Sequence, residues 1–251
     1  MSDSLEQNRE RMEPSTPESA AKPQRKESFL ANLLLNIVIP AVILSKLSGE
    51  QYLGTQWAVV VALAFPLAYG IHDFIQTRKI NIFSALGFIS VLLTGGISLL
   101  QLDPQYIAIK EAAIPGLIGL VTLFSMKTRF PIVKTILYND KIMQVDKITT
   151  ALKERNAEAR FEKVLQNATY LIAASFFLSS VLNYVLAKLI MVSPPGTEAF
   201  NAELGKMTAL SYPVIALPAT LVLFAGLFYL FRNIRLLTDL SFEDVINDGS
   251  N

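Results

Sequence analysis

ATYLIAASFFLSSVLNYVLA, residues 168–187, is a run of twenty residues without a charge. As a helix it is about 30 Å long, the thickness of the hydrocarbon core of a bilayer. Working outward from it, the chain holds five more long apolar runs: Phe29 to Ser45, Tyr52 to Ile71, Ile80 to Leu102, a fourth opening at Asp103-Pro104 and reaching Met126, and Ala209 to Phe231. Asp103 followed by proline is the pattern of an N-cap with Pro at the first helical position. Barrel strands are short and alternate between polar and apolar residues, and these runs do neither. The expectation is an all-α polytopic membrane bundle with six transmembrane helices.

Composition agrees. Of 251 residues 52% are hydrophobic and only 17% charged, against about 25% in a soluble domain, and the mean hydropathy is +0.42. The chain has no cysteine and one histidine. Thiol catalysis, disulfides, cysteine-ligated metals and histidine-cluster zinc sites are therefore excluded, and no cofactor or metal is expected. A net charge of +1 argues against a nucleic-acid partner. No Walker loop, Ser-His-Asp set or pair of convergent carboxylates marks an enzyme. The histidine, His72, sits beside Asp73 at the end of the second run and reads as loop decoration.

Orientation follows from the basic residues. The N-terminal tail, the loops after the second and fourth runs and the C-terminal tail carry 5, 2, 9 and 2 of the 22 Lys and Arg. The other side carries only Lys46, Lys110, Lys188 and Lys206. Both termini are thus expected in the cytoplasm. A polar tail of 28 residues precedes the first run and no small-residue cleavage pattern follows it, so that run reads as a retained anchor.

The chain divides into a disordered tail over 1–28, a membrane domain over 29–237, and a short tail over 238–251. Residues 1–28 hold too little apolar surface to offset ordering entropy, and Lys22, Arg25 and Lys26 suit anionic lipid. Within the membrane domain, the loop 127–167 places Val145, Ile148, Leu152, Phe161, Val164 and Leu165 among charged residues at helical spacing. One or two amphipathic helices are expected there. They would serve as a docking surface for a partner, or lie on the membrane or the bundle's own underside.

Polar residues inside the runs each need a reason. Only fifteen uncharged residues, about 22 Å of helix, separate Glu111 from Lys127. Lys110 and Glu111 therefore lie at or within the outer boundary. Neighbours on a helix point about 100° apart, so the two are expected to pair poorly, with Lys46 or Lys188 as alternative partners for Glu111. Glu111 reads either as a protonatable transport residue or as half of a structural ion pair. Ser175, Ser179 and Asn183 share a face of the fifth run, as do Asn32 and Asn36 on the first. Ser84, Gly87, Thr94, Gly95 and Ser98 line one side of the third, and Ala112, Gly116 and Gly119 one side of the fourth. Such stripes let helices pack closely, or line a cavity. Pro40, Pro66, Pro115, Pro213 and Pro218 interrupt spans.

The order and flanks of the spans resemble the bacterial intracellular septation protein A family of small inner-membrane proteins. The matching stretches are Tyr69-Gly70-Ile71, Arg78-Lys79-Ile80, Gly95-Gly96 with Ile97-Ser98-Leu99-Leu100, and Tyr106-Ile107-Ala108-Ile109-Lys110. They continue with Ser125-Met126-Lys127, Pro131-Ile132-Val133, Ile136-Leu137, Leu182-Asn183-Tyr184 and Leu230-Phe231-Arg232, so that Phe29 to Leu237 is covered. The N-terminal tail and the loop after the fourth span are longer than in that family, as in a sister group. The resemblance implies a non-enzymatic protein of the bacterial inner membrane, linked to cell division, envelope synthesis and membrane maintenance, with division or cell-wall proteins as partners and no catalytic residues.

Gly70-Ile71-His72-Asp73 with Arg78-Lys79 is also similar to the loop after the second span of major facilitator transporters, with the Gly-to-Asp spacing one short and the second glycine absent. Six spans are half of that fold, so a transporter of this kind would act as a homodimer. Two readings result: a scaffold of the division or envelope machinery, and a small secondary transporter with Glu111 and the Ser175, Ser179 and Asn183 face along its path.

Overall fold

The computed structural model of the chain describes residues 34–77, 82–129 and 131–246, without the side chains at 73, 76, 77 and 82–84. The expected disordered tail, the start of the first run with Asn32, the pair Arg78-Lys79, the side chains of Asp73 and Ser84, and the final residues of the C-terminal tail lie outside the described residues.

Among the described residues the regular structure is helical, apart from one antiparallel bridge between Met143 and Ile246. We number the helices α1 (Leu34–Lys46), α2 (Gly54–Thr77), α3 (Ile82–Leu99), α4 (Gln105–Ser125), α5 (Ile132–Leu137), α6 (Val145–Glu154), α7 (Glu158–Ile190), α8 (Glu198–Ser211), α9 (Leu217–Thr238) and α10 (Phe242–Val245). Four helical stretches are long and apolar enough to cross a membrane: Gly54–His72 in α2, α4, α7, and the continuous Glu198–Thr238 that joins α8 to α9. Shorter apolar helices, Leu34–Lys46 and Ala85–Leu99, stand where the first and third runs were expected.

Several boundaries differ from the sequence expectation. No Gly or Pro stands anywhere between Glu158 and Ile190, so the amphipathic end of the 127–167 loop and the fifth run fuse into one helix of 33 residues, about 50 Å long. It outreaches a bilayer core, and its first turns project below the bundle. Glu198–Thr238 likewise outlasts the expected Ala209–Phe231. Pro213 has no N–H for the carbonyl four residues back; the helix absorbs this as a π-helical turn over Tyr212–Ala216, with Leu217 N–H donating to the carbonyl of Tyr212. The Gly70-to-Asp73 stretch is helical, within α2, and not a loop.

Two apolar clusters hold the fold. The upper one, at the end carrying loops 47–53, 100–104 and 191–197, gathers Leu44 of α1, Ala62 of α2, Ile107 of α4, Ile190 of α7 and Phe200 of α8. The lower one gathers Ile148 and Leu152 of α6, Phe161 and Leu165 of α7, Leu230 and Ile234 of α9, and Val245 of α10. The apolar stripe expected on the loop is therefore spent on the bundle's own underside. Gln144 N–H donates to the carbonyl of Val245 at 2.9 Å and ties the C-terminal segment to the same cap.

The helices fall into two groups. The backbones of α1 and α2 pack on each other and on α8, while α4 and α9 pack on α7. Helix α3 is held by α2 and α4 alone among the described residues. The π-helical turn lies where Glu198–Thr238 passes from one group to the other. In α1, α2 and α3 every buried described residue lies in the upper part: Pro40 onward in α1, Ala58 to Ala62 in α2, Gly95 to Ser98 in α3. Helices α4, α7 and α9 hold buried residues at their lower ends too, such as Ser125, Phe161 and Ile234.

Candidate functional site

Small residues let the helices within each group approach. On α4, Ala112, Gly116 and Gly119 recur on one face toward α7. A Cβ at Gly116 would lie 3.0 Å from Ser180 Oγ, and one at Gly119 3.2 Å from the Phe177 ring. Ser180 Oγ donates to the carbonyl of Ala112 at 2.7 Å, sealing the seam. On α8, a Cβ at Gly205 would lie 2.7 Å from the carbonyl oxygen of Ala41. The stripe on α4 is thus a packing surface, and so is α8 at Gly205.

With that face of α4 committed to α7, Lys110 and Glu111 turn toward α3. Lys110 Nζ lies 2.6 Å from Glu111 Oε1, 2.7 Å from Thr94 Oγ1 and 3.1 Å from Ser90 Oγ. An ammonium has three protons, and here each has an acceptor. The expectation that the two neighbours pair poorly is overturned, because the long lysine stem spans the angle between adjacent helical positions. Lys46 and Lys188 stand exposed near the ends of α1 and α7 and pair with no carboxylate among the described residues. Lys110 keeps 6% of its side chain exposed and Glu111 29%, so the carboxylate is the member of the pair that faces open space.

That space consists of two adjoining cavities of about 200 and 340 Å³ that share Ser90, Glu111 and Asn183. The first also reaches Asn36, Pro40, Pro66, Thr208 and Ser211; the second lies between α3, α4 and α7 against Pro115 and Ser179. Counted along their helices at about 1.5 Å per residue, Glu111, Asn183, Asn36, Pro66 and Ser211 lie about 9–20 Å below the upper helix ends. The two spaces therefore lie at that depth along the helices, the second as an open cleft between α3, α4 and α7. Pro115 has no N–H to offer the carbonyl of Glu111, which adds a backbone acceptor beside the lining.

Of the other expected site residues, Asn183 and Ser179 line the space, whereas Ser175 is buried and donates to the carbonyl of Ile172 within its own helix at 2.7 Å. Ser90 was missed, although it stands four residues before Thr94 on the same stripe. The upper closure was missed as well. Asn201 Nδ2 donates to Ser48 Oγ at 3.1 Å and to the carbonyl of Thr55 at 2.8 Å. Glu203 Oε2 accepts from the N–H groups of Val192 and Ser193 at 3.0 and 2.9 Å. Both side chains sit on α8 in a stretch the sequence reading assigned to a loop.

Among the described residues no three His, Asp or Glu side chains come together to hold a metal ion. Outside the bundle, burial raises the Tyr138 phenol above its usual value of 10.0, and its hydroxyl lies 2.7 Å from Thr149 Oγ1 in the lower cap. Comparison with protein-family models, with curated proteins and with solved structures finds no match to this chain.

Proposed function

We propose that the chain is a six-span protein of the bacterial inner membrane, with both termini cytoplasmic, that binds a small solute in its mid-bundle cavity and acts as a small secondary transporter. The upper end is then periplasmic and the lower cap cytoplasmic, as the 18-to-4 division of Lys and Arg requires. The observation that carries the reading is the Lys110–Glu111 pair, which links α3 to α4 about 9 Å below the upper end of α4, beside cavities lined by both helix groups. Ionisable residues at such depth mark solute paths by default. Proline-interrupted helices around them are the usual construction of a transporter site. A single chain supplies the lining, so a homodimer would add stability rather than complete the site.

The test is Glu111→Gln, which removes the charge and keeps the shape. The variant is expected to insert and to keep its size-exclusion profile, while losing growth complementation of a strain deleted for the gene. Full complementation would overturn the reading.

A second reading, a scaffold for division or cell-wall proteins, is supported by the similarity to the septation protein A family and by the exposed charged face of the lower cap, with Lys153, Glu154, Arg155 and Glu158. Capture of division proteins that is lost with a 141–163 deletion would favour it. The apolar face of that segment is buried within the chain, so any such contact would be polar.

A further inference from the structure

The cleft between α3, α4 and α7 has a direction. Helices α3 and α7 both pack on α4 but not on each other. Among the described residues the gap between them is therefore left open, and Gly87 on its α3 wall is exposed, with nothing within 4 Å of an added Cβ. Counted down from the upper helix ends at about 1.5 Å per residue, its polar members Glu111, Asn183, Ser90 and Ser179 lie about 9–17 Å deep. Its apolar members Leu86, Ile118 and Phe176 lie about 20 Å deep. Above it, the packed cluster of Leu44, Ile107, Ile190 and Phe200 and the Asn201 hydrogen bonds to Ser48 and Thr55 close the upper end. The polar groups are thus reached from the side or past apolar walls, and in a membrane-spanning bundle both routes run through hydrocarbon. A hydrated solute sheds its water on such a route at high cost, whereas a molecule already dissolved in the bilayer does not. Trp57 and Tyr106, 66% and 54% exposed near the upper ends of α2 and α4, stand where interfacial aromatics of membrane helices belong. A lipid of the leaflet at that end carries its head up and its chain down, the same order as the cleft.

We infer that the cleft takes a single-chain amphiphile with an uncharged, hydroxyl-bearing head, of the monoacylglycerol type, which enters sideways from the bilayer. This rests on the solute-binding reading and adds the ligand class and its route. Charge selects the head. Lys110 and Glu111 form an ion pair without net charge, so a charged head would bring an uncompensated charge into a low-dielectric site, and an uncharged one does not. Hydroxyl groups both donate and accept, which matches what they meet: the Glu111 carboxylate and the Asn183 side-chain oxygen accept, and the Ser90 and Ser179 hydroxyls do either. At about 340 Å³ the cleft has room for such a head and one chain. The chain lies along Ile114, Ile118 and Phe176 and ends in lipid.

The experiment is photolabelling of the full chain in nanodiscs of phosphatidylethanolamine and phosphatidylglycerol. The probe is a monoacylglycerol with a diazirine in its chain, and labelled peptides are mapped by mass spectrometry. Saturable labelling of segments 86–90, 114–118 and 176–179, competed by monoolein, is expected. Gly87→Phe puts a ring into open space, so it is compatible with folding, and should cut that labelling at least tenfold. Leu93→Phe, at an exposed position of the same helix outside the cleft, should leave it unchanged. Should Gly87→Phe fail to fold, saturation and monoolein competition on the native chain still decide. Labelling that does not saturate, or that Gly87→Phe leaves intact, is ordinary contact with surrounding lipid and overturns the site. Competition by oleate equal to or stronger than that by monoolein overturns the uncharged head. The solute-binding reading is judged apart from these, by complementation with Glu111→Gln: lost complementation together with unsaturable labelling removes the amphiphile alone, and full complementation removes the reading on which it rests.

Discussion

Lys110 and Glu111 are adjacent in the chain, yet their side chains meet at 2.6 Å and leave α4 together toward Ser90 and Thr94 of α3. The pair is therefore a bridge between helices although both charges come from one. Its energetics follow from burial. Removing one member strands the other in a low-dielectric site, whereas removing both returns a neutral bundle. Lys110→Met is expected to lower thermal stability in detergent more than the double variant Lys110→Met with Glu111→Gln. The coupling should be about 0.5–3 kcal/mol, as for residues in direct contact. Additive effects in the four-variant cycle would show that the pair contributes nothing as a unit.

Three glycines predict three different outcomes for one added methyl. At Gly205 the Cβ would meet backbone, the carbonyl oxygen of Ala41 at 2.7 Å, and backbone there cannot swing aside. Gly205→Ala should cost about 1–3 kcal/mol, as overpacking does, and lower the melting midpoint clearly. At Gly116 the nearest atom is Ser180 Oγ at 3.0 Å, a side chain able to rotate, so a smaller loss is expected. At Gly87 nothing lies within 4 Å. Gly87→Ala should be neutral or stabilise by up to about 1 kcal/mol through helix propensity. Melting midpoints of the purified variants check the order.

The stripe on α4 was legible in the sequence because packing and periodicity are local properties of a helix, whereas the α7 residue that meets it, Ser180, lies outside the Ser175, Ser179 and Asn183 face. Also legible were the apolar runs and the isolation of Glu111, a carboxylate among apolar residues. The partner of Glu111 was not legible. Helical angle alone separates neighbours by about 100°, and the reach of a lysine into a space that α3 leaves open depends on where α3 stands. Asn201 and Glu203 were hidden for a different reason: their short polar stretch breaks the hydropathy of Glu198–Thr238, and only the tertiary structure continues the helix through it. The loop 127–167 showed its amphipathic pattern, but the pattern is silent on which apolar surface will cover it. Leu230 and Ile234, more than sixty residues later, do so.

The lower cap makes its own prediction. Ile148 and Leu152 are fully or nearly fully buried, at 0% and 2% exposure, whereas Lys153 on the same helix is exposed. Ile148→Ala should cost about 2–5 kcal/mol within the cap, and Lys153→Ala less than about 0.5 kcal/mol. Limited proteolysis should cut the first variant between residues 139 and 157 well before the native chain. Equal cleavage of both variants would contradict the packing.

Acid should loosen α10. Ser241 Oγ accepts from Asp244 N–H at 3.2 Å, while the Asp244 carboxylate accepts from both the Ser241 hydroxyl and the Ser241 N–H. These bonds, the Ser241 hydroxyl first, hold the Asp244 carboxyl below its ordinary 3.8. A carboxyl lowered in the folded state favours folding above the ordinary value, and that contribution fades as pH falls through the lowered one. Hydrogen exchange around Val245 should therefore quicken below about pH 3.8 relative to Asp244→Asn measured at the same pH. A constant ratio between the two proteins would remove the carboxylate from the cap.

The absence of cysteine makes orientation directly measurable, because any introduced thiol is unique. Gln51 is exposed in the loop between α1 and α2, and Lys141 is exposed in the loop before α6. The orientation proposed from the basic-residue asymmetry predicts the first outside and the second in the cytoplasm. Gln51→Cys should react with a membrane-impermeant maleimide in spheroplasts, and Lys141→Cys only after the membrane is permeabilised. The reverse pattern would invert the topology and make the lower cap periplasmic, where division and wall-synthesis proteins of the cytoplasm could not reach it. Labelling of both sites in spheroplasts would mean that the helices between Gln51 and Lys141 cross an even number of times. Three crossings, by α2, α3 and α4, are what the six-span proposal requires, so this pair of residues tests the span count as well as the direction.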